Sequence, residues 1–255
     1  MSKPAERVKT GIDRLDAMLD GGVPAGSSVL IQGAPGVGKT TFGLQFLYEG
    51  AVRYREPGLF VTFEEFPVSL YRDAQALSWD FKELERQRRV RVVFTSPEIF
   101  LAGLQAPESL IADFIQDWNV RRAVIDSVSL FKRVTTDPVR LREVYHHLVN
   151  GLKREGITSF LMVEDRMQGM SLEEEGRLSY VVDGIILLRY VEVESAMQRA
   201  LTILKMRGVN HDRGIYRFSI GAGGIQIHER FTNLEGILSG SSYHSQAMPA
   251  KKRGR

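Results

Sequence analysis

The sequence predicts an α/β fold, with a mostly parallel central sheet, helices on both faces and an antiparallel C-terminal extension. Two patterns predict this fold. Short apolar strands alternate with amphipathic helices through the first two thirds of the chain, and beyond residue 180 strands follow one another through short turns. The sequence shows no internal repeat, so we expect one domain over residues 1–230 and a flexible or regulatory tail over residues 231–255.

Five continuous apolar runs predict the parallel strands, because strands that are buried on both faces lack polar alternation. In chain order, these runs are Ser28–Gln32, Leu59–Phe63, Val90–Phe94, Ala123–Ile125 and Ser159–Val163. The segments between them are long enough for crossover helices, so the runs form a βαβ series.

Amphipathic segments between these runs predict the helices. Thr41–Tyr48 follows the first strand, and apolar side chains recur at helical spacing from Leu110 to Trp118. A longer helix has apolar residues up to Leu152. It begins with Asp137 as its N-cap and Pro138 at its first helical position, which is a typical helix start.

Four further runs predict strands after residue 180. They are Val181–Arg189, Ala200–Met206, Tyr216–Ile220 and Ile225–His228. No helical pattern lies between them where a parallel crossover would need one. We therefore expect all four strands to extend the sheet as antiparallel hairpins.

Composition and charge exclude several classes of protein. The 255 residues include no cysteine, which excludes disulfides, iron–sulfur clusters and a thiol nucleophile and fits a reducing compartment. The net charge is +3, but the last ten residues hold four basic side chains and no acid, so the rest of the chain is almost neutral. We therefore expect no nucleic-acid partner. No apolar run is long enough for a membrane span and no signal peptide is evident, so we expect a cytoplasmic protein.

The segment from Gly33 to Thr40 matches the P-loop pattern G-x-x-x-x-G-K-[ST]. An apolar strand leads into it and a helical segment follows, which is the arrangement that binds nucleotide phosphates. We expect Lys39 to contact the β- and γ-phosphates of ATP and the Thr40 hydroxyl to bind Mg²⁺. The predicted nucleotide-binding residues of this segment are Ala34, Pro35, Gly36, Val37, Gly38, Lys39, Thr40 and Thr41.

Acidic residues end two of the predicted strands, on the sheet edge where ligands of α/β proteins bind. Asp126 is the expected Mg²⁺ ligand, with a turn-capping carboxylate as its alternative. Glu64 and Glu65 are placed to orient the water that attacks the γ-phosphate, although both could simply be solvated loop acids. Because successive strand residues face opposite ways, we expect only one of the two to point at the phosphate.

Lys205 and Arg207 lie two residues apart at the end of a predicted strand, so both cations point the same way. Unpaired burial would be costly, so they are either solvated or directed at an anion. In a ring they could reach a neighbouring subunit's phosphates, as an arginine finger does. The residues alone favour solvation.

The motifs in their order resemble RecA-superfamily ATPases of the KaiC/RadA branch, and KaiC-like ATPases in particular. The resemblance spans about residues 7–240. The segments that carry it are Thr10–Asp16, Gly21–Ser27, the P-loop, Phe60–Glu65, Trp79–Asp80, Val124–Ser127, Lys205–Asp212 and Asn233–Gly240.

The resemblance implies a RecA-type P-loop NTPase that assembles as a homohexameric ring with ATP between subunits. It implies catalytic roles for Glu64 and Glu65 beside Lys39. It also implies that Lys205, Arg207 and His211 reach the neighbouring subunit's nucleotide, with Arg207 catalytic, which reverses the preference for solvation. Autophosphorylation of Ser179 is a weaker implication, because the second position of the Ser–Thr pair found in the family is here Tyr180.

Together these patterns predict a single-domain, slowly hydrolysing regulatory ATPase that signals its nucleotide state to an unidentified protein partner. Slow turnover is expected because Met162 and Val163 replace threonines that are frequent in related domains. Two alternatives stay open: a ring in which ATP is structural and gates assembly, and a RadA-like DNA recombination ATPase. The near-neutral body disfavours the second.

Overall fold

A computed structural model describes residues 6–106, 108–164, 178–232, 234–239 and 243–244 of the chain. Nine strands form one mixed sheet, and the remaining strands form two short pairs. In chain order the strands are β1 (Arg7–Val8), β2 (Val23–Pro24), β3 (Ser28–Gly33), β4 (Gly58–Thr62), β5 (Val90–Phe94), β6 (Arg122–Asp126), β7 (Thr158–Glu164), β8 (Gly184–Val193), β9 (Ala196–Met206), β10 (Tyr216–Gly221), β11 (Gly224–Arg230), β12 (Leu234–Glu235) and β13 (Tyr243–His244).

Besides a helical turn at residues 178–181, seven α-helices accompany the strands in the described part of the chain. They are α1 (Asp13–Met18), α2 (Lys39–Glu49), α3 (Pro67–Ala76), α4 (Phe81–Arg86), α5 (Pro97–Gln105), α6 (Leu110–Asp117) and α7 (Pro138–Arg154). A π-helix (Gly50–Tyr54) extends α2, and 3₁₀ helices cover Val128–Arg133 and Ile237–Ser239. The predicted start of α7 is confirmed, since the Asp137 carboxylate accepts hydrogen bonds from the amides of Val139 and Arg140.

The sheet order is β11-β10-β9-β8-β3-β7-β6-β4-β5. From β8 to β5 neighbouring strands are parallel, and β9, β10 and β11 add antiparallel strands beyond β8. The predicted α/β class with an antiparallel C-terminal extension is therefore confirmed.

The strand after residue 180 differs from its prediction in both position and direction. β8 begins at Gly184 rather than at Val181, because residues 178–181 are helical and Val181 and Val182 are buried in the core. β8 also pairs parallel to β3, so only the three strands after it follow the antiparallel prediction. The 19 residues between β7 and β8 are enough for a crossover, although their sequence shows no clear helical pattern.

Two apolar cores lie on the two faces of the sheet. Residues of β3 alternate between them, so Val29 and Ile31 join one core while Leu30 joins the other. All six residues of β3 are buried, as the continuous apolar run predicts. β5 departs from that expectation. It is an edge strand, and Arg91 and Phe94 are exposed.

The boundary between domain and tail at residue 230 stays a prediction. Within the predicted tail, the Phe231 amide donates to the Ile215 carbonyl over 2.8 Å, and Ile237 is buried against Val191 and Ala200. The Arg189 guanidinium also donates to the Leu238 carbonyl over 2.6 Å. The described residues of this segment therefore pack against the sheet.

Candidate functional site

The P-loop joins the carboxyl end of β3 to the amino end of α2. Gly36 and Gly38 have φ angles of 76° and 114°, which favour glycine, and the Val37 side chain between them is buried. A Cβ atom on Gly38 would lie 2.5 Å from the Ile220 side chain of β10. The loop is thus held closely against the sheet while the amides of α2 face its opening, as phosphate binding requires.

Tyr190 of β8 contacts the P-loop, and the sequence did not predict this contact. Its phenol donates a hydrogen bond to the Gly36 carbonyl over 2.7 Å. The guanidinium of Arg199 lies over the Tyr190 ring, 5.4 Å from its centroid. Tyr190 and Gly36 are 154 positions apart, so no local sequence signal could have revealed this contact.

Lys39 is buried and points back across the loop. Its ammonium donates to the carbonyl oxygens of Gly33, over 2.8 Å, and Ala34, over 3.1 Å. A buried cation among loop carbonyls and helix amides provides the positive charge that nucleotide phosphates need. The role of Lys39 in phosphate binding stays a prediction.

Thr40 and Asp126 meet across the sheet edge. The Thr40 hydroxyl donates to Asp126 Oδ2 over 2.8 Å, so the two predicted Mg²⁺ ligands are adjacent. Burial raises the pKa of Asp126 to about 6, while the Thr40 hydrogen bond and the charge of Lys39 act in the opposite direction. A hydroxyl and a buried carboxylate are oxygen ligands of the kind Mg²⁺ prefers, so this pair fits the ion.

The two glutamates follow β4 in a bend, so the alternation expected for strand residues does not apply to them. Both side chains are exposed, and Glu64 Oε1 lies 3.8 Å from a guanidinium nitrogen of Arg133. Glu65 lies on the side of Asp126, since its negative charge contributes to raising the pKa of Asp126. Glu64 therefore lies near Arg133 of the 3₁₀ helix, while Glu65 is close enough to Asp126 for its charge to oppose ionisation of that carboxyl group.

A third acid, Glu164, belongs to this edge and was missed. It ends β7 and pairs in register with Gly33, so it borders the P-loop directly. Its negative charge also raises the pKa of Asp126. The signal was present in the sequence, because Glu164 ends an apolar strand just as Glu64 and Asp126 do.

Lys205 and Arg207 lie at the opposite end of the parallel strands from the P-loop. Met206 pairs with Gly184, which pairs with Val29 near the start of β3, whereas the P-loop follows Gly33 at its end. At about 3.3 Å per residue, the six residues of β3 span roughly 16 Å. Neither cation can therefore reach the P-loop of its own chain.

Asp183 organises the charges at this second edge. Its carboxylate lies 2.7 Å from the Lys153 ammonium and 3.7 Å from the Arg207 guanidinium, and it accepts a hydrogen bond from the Ser28 amide over 3.0 Å. The Lys205 ammonium donates to the carbonyls of Ser179 and Val182, each over 2.8 Å. These contacts hold a cluster of three cations at the amino end of β3.

The remaining predicted residues lie near this cluster or at the loop. His211 follows β9, and its Nδ1 atom is buried without a hydrogen-bond partner in the described part of the chain. Ser179 is half-buried in the helical turn 178–181, and Tyr180 beside it is 72% exposed. Thr41 lies in the first turn of α2, beside Thr40. Ser179 therefore lies in a helical turn five residues before the start of β8.

A parallel sheet in this strand order, with a P-loop after a central strand and an acid beside its threonine, defines a P-loop NTPase of the RecA type. Comparison with known proteins agrees. The family model "ATPase: KaiC" matches residues 8–231, and the chain belongs to this family. None of the helices in the described ranges has the length and apolar character that a bilayer crossing requires.

The similar proteins include clock proteins and one archaeal structure. The chain is 36% identical over 236 residues to the circadian clock oscillator protein KaiC 1 of Synechocystis sp., with 92% of this chain and 45% of the relative aligned. It is 35% identical to the circadian clock protein KaiC3 of the same organism, over 94% of this chain and 47% of the relative. The chain thus spans about half the length of these relatives.

Among solved structures, a KaiC-like protein from Pyrococcus horikoshii OT3 matches with a TM-score of 0.78 and 34% identity. The match covers 89% of this chain and 100% of the archaeal one. A single KaiC-like unit of this size is therefore also found in a solved structure.

Proposed function

We propose that this chain binds ATP and Mg²⁺ at the P-loop, hydrolyses ATP slowly as a homohexameric ring, and reports its nucleotide state to a protein partner. The membership of the KaiC ATPase family supports nucleotide binding and an ATPase class. The ring is supported by one observation: the full length of β3 separates the P-loop from Lys205 and Arg207. Cations so placed can act on phosphates only if a neighbouring subunit supplies the P-loop.

In the proposed mechanism, the P-loop amides and Lys39 hold the phosphates, and Thr40 and Asp126 hold the metal ion. When bound, Mg²⁺ neutralises charge on the β- and γ-phosphate oxygens. The glutamate pair, Glu64 and Glu65, orients the attacking water and accepts its proton.

Arg207 of the neighbouring subunit then stabilises the charge that develops as the bond between the γ-phosphorus and the departing ADP oxygen breaks. Lys205 and His211 lie on the same edge and contribute to binding the same nucleotide. The proposed slow turnover rests on Met162 and Val163, which stand where related domains often carry threonines.

A subunit-mixing experiment tests action between subunits. The Lys39→Ala variant lacks the P-loop lysine that holds the phosphates but keeps Arg207. The Arg207→Ala variant keeps an intact P-loop but lacks the arginine. We expect each purified variant to release little phosphate from ATP. Mixtures should recover a substantial fraction of wild-type turnover, because some boundaries then combine an intact P-loop with an intact Arg207.

The control for this experiment is a mixture of Lys39→Ala with the Lys39→Ala/Arg207→Ala double variant, which offers no productive boundary. If the first mixture stays as inactive as this control, action between subunits is wrong. If Arg207→Ala alone keeps wild-type turnover, the proposed catalytic role of Arg207 is also wrong.

Autokinase activity on Ser179 stays a prediction from the resemblance. Ser179 lies beside the cation cluster through its carbonyl bond to Lys205, which supports its presence at the subunit boundary. Incubation with γ-labelled ATP and mapping of the labelled peptide, with Ser179→Ala as the comparison, tests it.

A further inference from the structure

Large apolar side chains are exposed on the sheet edge that carries the P-loop. Phe66 is 62% exposed and Phe94 is 43% exposed, and their rings pack together with centroids 4.6 Å apart. Val68 and Ile99 are also largely exposed. We name these four residues the front patch. Several large apolar side chains exposed at the same end of the sheet are typical of an interaction surface, whereas a single exposed one is not.

The front patch lies close to the chemistry. Phe66 directly follows the predicted catalytic acids, and Phe94 ends β5, which pairs in parallel with β4. Val68 and Ile99 lie in the first turns of α3 and α5, the helices that leave these two strand ends. Because parallel strands end at the same edge, the patch and the P-loop face the same way.

A smaller apolar surface flanks the cations on the opposite edge. Tyr180 is 72% exposed, and its carbonyl accepts a hydrogen bond from Arg207 over 3.0 Å. Leu204, 51% exposed, lies at the irregularity in the β8–β9 pairing and has no partner in that register. We name Tyr180 and Leu204 the back patch. The Tyr180 backbone is therefore adjacent to Arg207, and its side chain is exposed beside the cation cluster.

The charges around the two patches are opposite. Glu64, Glu65 and Glu98 lie within two residues of the front patch, with Arg133 near Glu64, whereas the back patch adjoins Lys153, Lys205 and Arg207 around Asp183. Head-to-tail contact between two copies of the chain joins acidic edge to basic edge. Contact between two identical edges would instead oppose like charges. We therefore take a second copy of this chain as the partner that covers each patch.

We propose that the back patch of one subunit packs against the front patch of the next, with Tyr180 against Phe66 and Phe94, and closes the nucleotide site with an aromatic seam. The proposal rests on the ring of the proposed function and adds the residues that seal it. Excluding water at this seam strengthens the interaction of Arg207 with the phosphate charge beside it.

Cross-linking tests the seam directly, because the sequence contains no cysteine. The Phe66→Cys/Tyr180→Cys variant therefore carries only the two thiols that the substitutions introduce. With Mg–ATP and a short bismaleimide, we expect a ladder of covalent oligomers on a denaturing gel, since each subunit links to both neighbours. Each single-cysteine variant can form at most a covalent dimer.

The matched control is Phe66→Cys/Met197→Cys. Met197 is 60% exposed, comparable to Phe66, but it lies at the start of β9, roughly 30 Å along that 11-residue strand from the cation edge. The seam predicts no ladder for this pair. Equal ladders for both pairs would mean random collision and would overturn the seam.

Assembly measurements add a readout that does not depend on reactive thiols. We expect Phe66→Ala and Tyr180→Ala each to raise the protein concentration at half-assembly, measured by sedimentation, by about tenfold. The double variant should exceed either single variant only slightly, because direct partners are non-additive.

Fully additive effects, or no effect, would overturn the pairing. If the ladder is absent while the Lys39/Arg207 subunit mixture recovers turnover, the seam fails and the proposed function stands. If both the ladder and the recovery are absent, the ring fails as well.

Discussion

Replacing Asp126 with asparagine should stabilise the nucleotide-free protein while it abolishes metal-dependent function. Asparagine keeps an oxygen that can accept the Thr40 hydrogen bond, but it removes a buried negative charge. Burial raises the pKa of Asp126 from 3.8 to about 6. At about 1.4 kcal/mol per pH unit, this shift costs the folded state at most about 3 kcal/mol at neutral pH, and less to the extent that water reaches the carboxylate.

The sign follows from proton binding. The folded state binds the Asp126 carboxyl proton more tightly than the unfolded state does. The stabilisation from binding that proton therefore falls as pH rises from about 4 to about 6 and is fully lost above that range. Urea unfolding of wild type and Asp126→Asn, with EDTA and without nucleotide, should give similar free energies near pH 4. Above pH 7 the variant should be more stable by up to about 3 kcal/mol.

Comparing the two proteins at each pH cancels the titration of their other groups. A difference in unfolding free energy that stays constant from pH 4 to pH 8 would refute the reasoning, as would a less stable variant at pH 8. Mg–ATP should raise the melting temperature of wild type more than that of Asp126→Asn, because the variant lacks the negatively charged one of the two proposed Mg²⁺ ligands.

Three further predictions concern residues that hold the site. Asp183→Asn keeps an acceptor for the Ser28 amide but releases Lys153 and Arg207, so turnover should fall about tenfold with the Kd for ATP unchanged. In the Arg207→Ala background the same change should add little, and an additive loss would exclude action through Arg207. Tyr190→Phe deletes the hydrogen bond to the P-loop and should weaken ATP binding by about 2- to 12-fold, measured by calorimetry, without loss of ring assembly. Gly38→Ala should abolish ATP binding even if the protein folds, because its φ of 114° and the contact with Ile220 leave no room for a methyl group.

Local patterns made much of the fold and the P-loop predictable. The strand before Gly33, the helix after Lys39 and the cap at Asp137 each depend on residues close in sequence, and the structure places each of them within a few residues of its prediction. The continuous apolar run of β3 also indicated correctly that this strand is buried on both faces.

Pairings between distant segments were not predictable. The direction of β8 depends on where a crossover of 19 residues returns to the sheet, and no local spacing encodes that. The exposure of β5 depends on its place at the edge, which periodicity does not report. The position of Lys205 and Arg207 opposite the P-loop likewise emerges only from the antiparallel register of β9. Tyr190 contacts the P-loop through tertiary structure alone.

The most direct test of the account is phosphate release from ATP by the purified protein with Mg²⁺. We expect slow, steady release that falls at least about 100-fold in the Glu64→Gln/Glu65→Gln variant, while that variant still binds ATP. Wild-type protein that binds ATP and releases no phosphate would contradict it and favour a ring in which the nucleotide is structural. Release that persists unchanged in the double variant would show that these two acids do not carry the reaction.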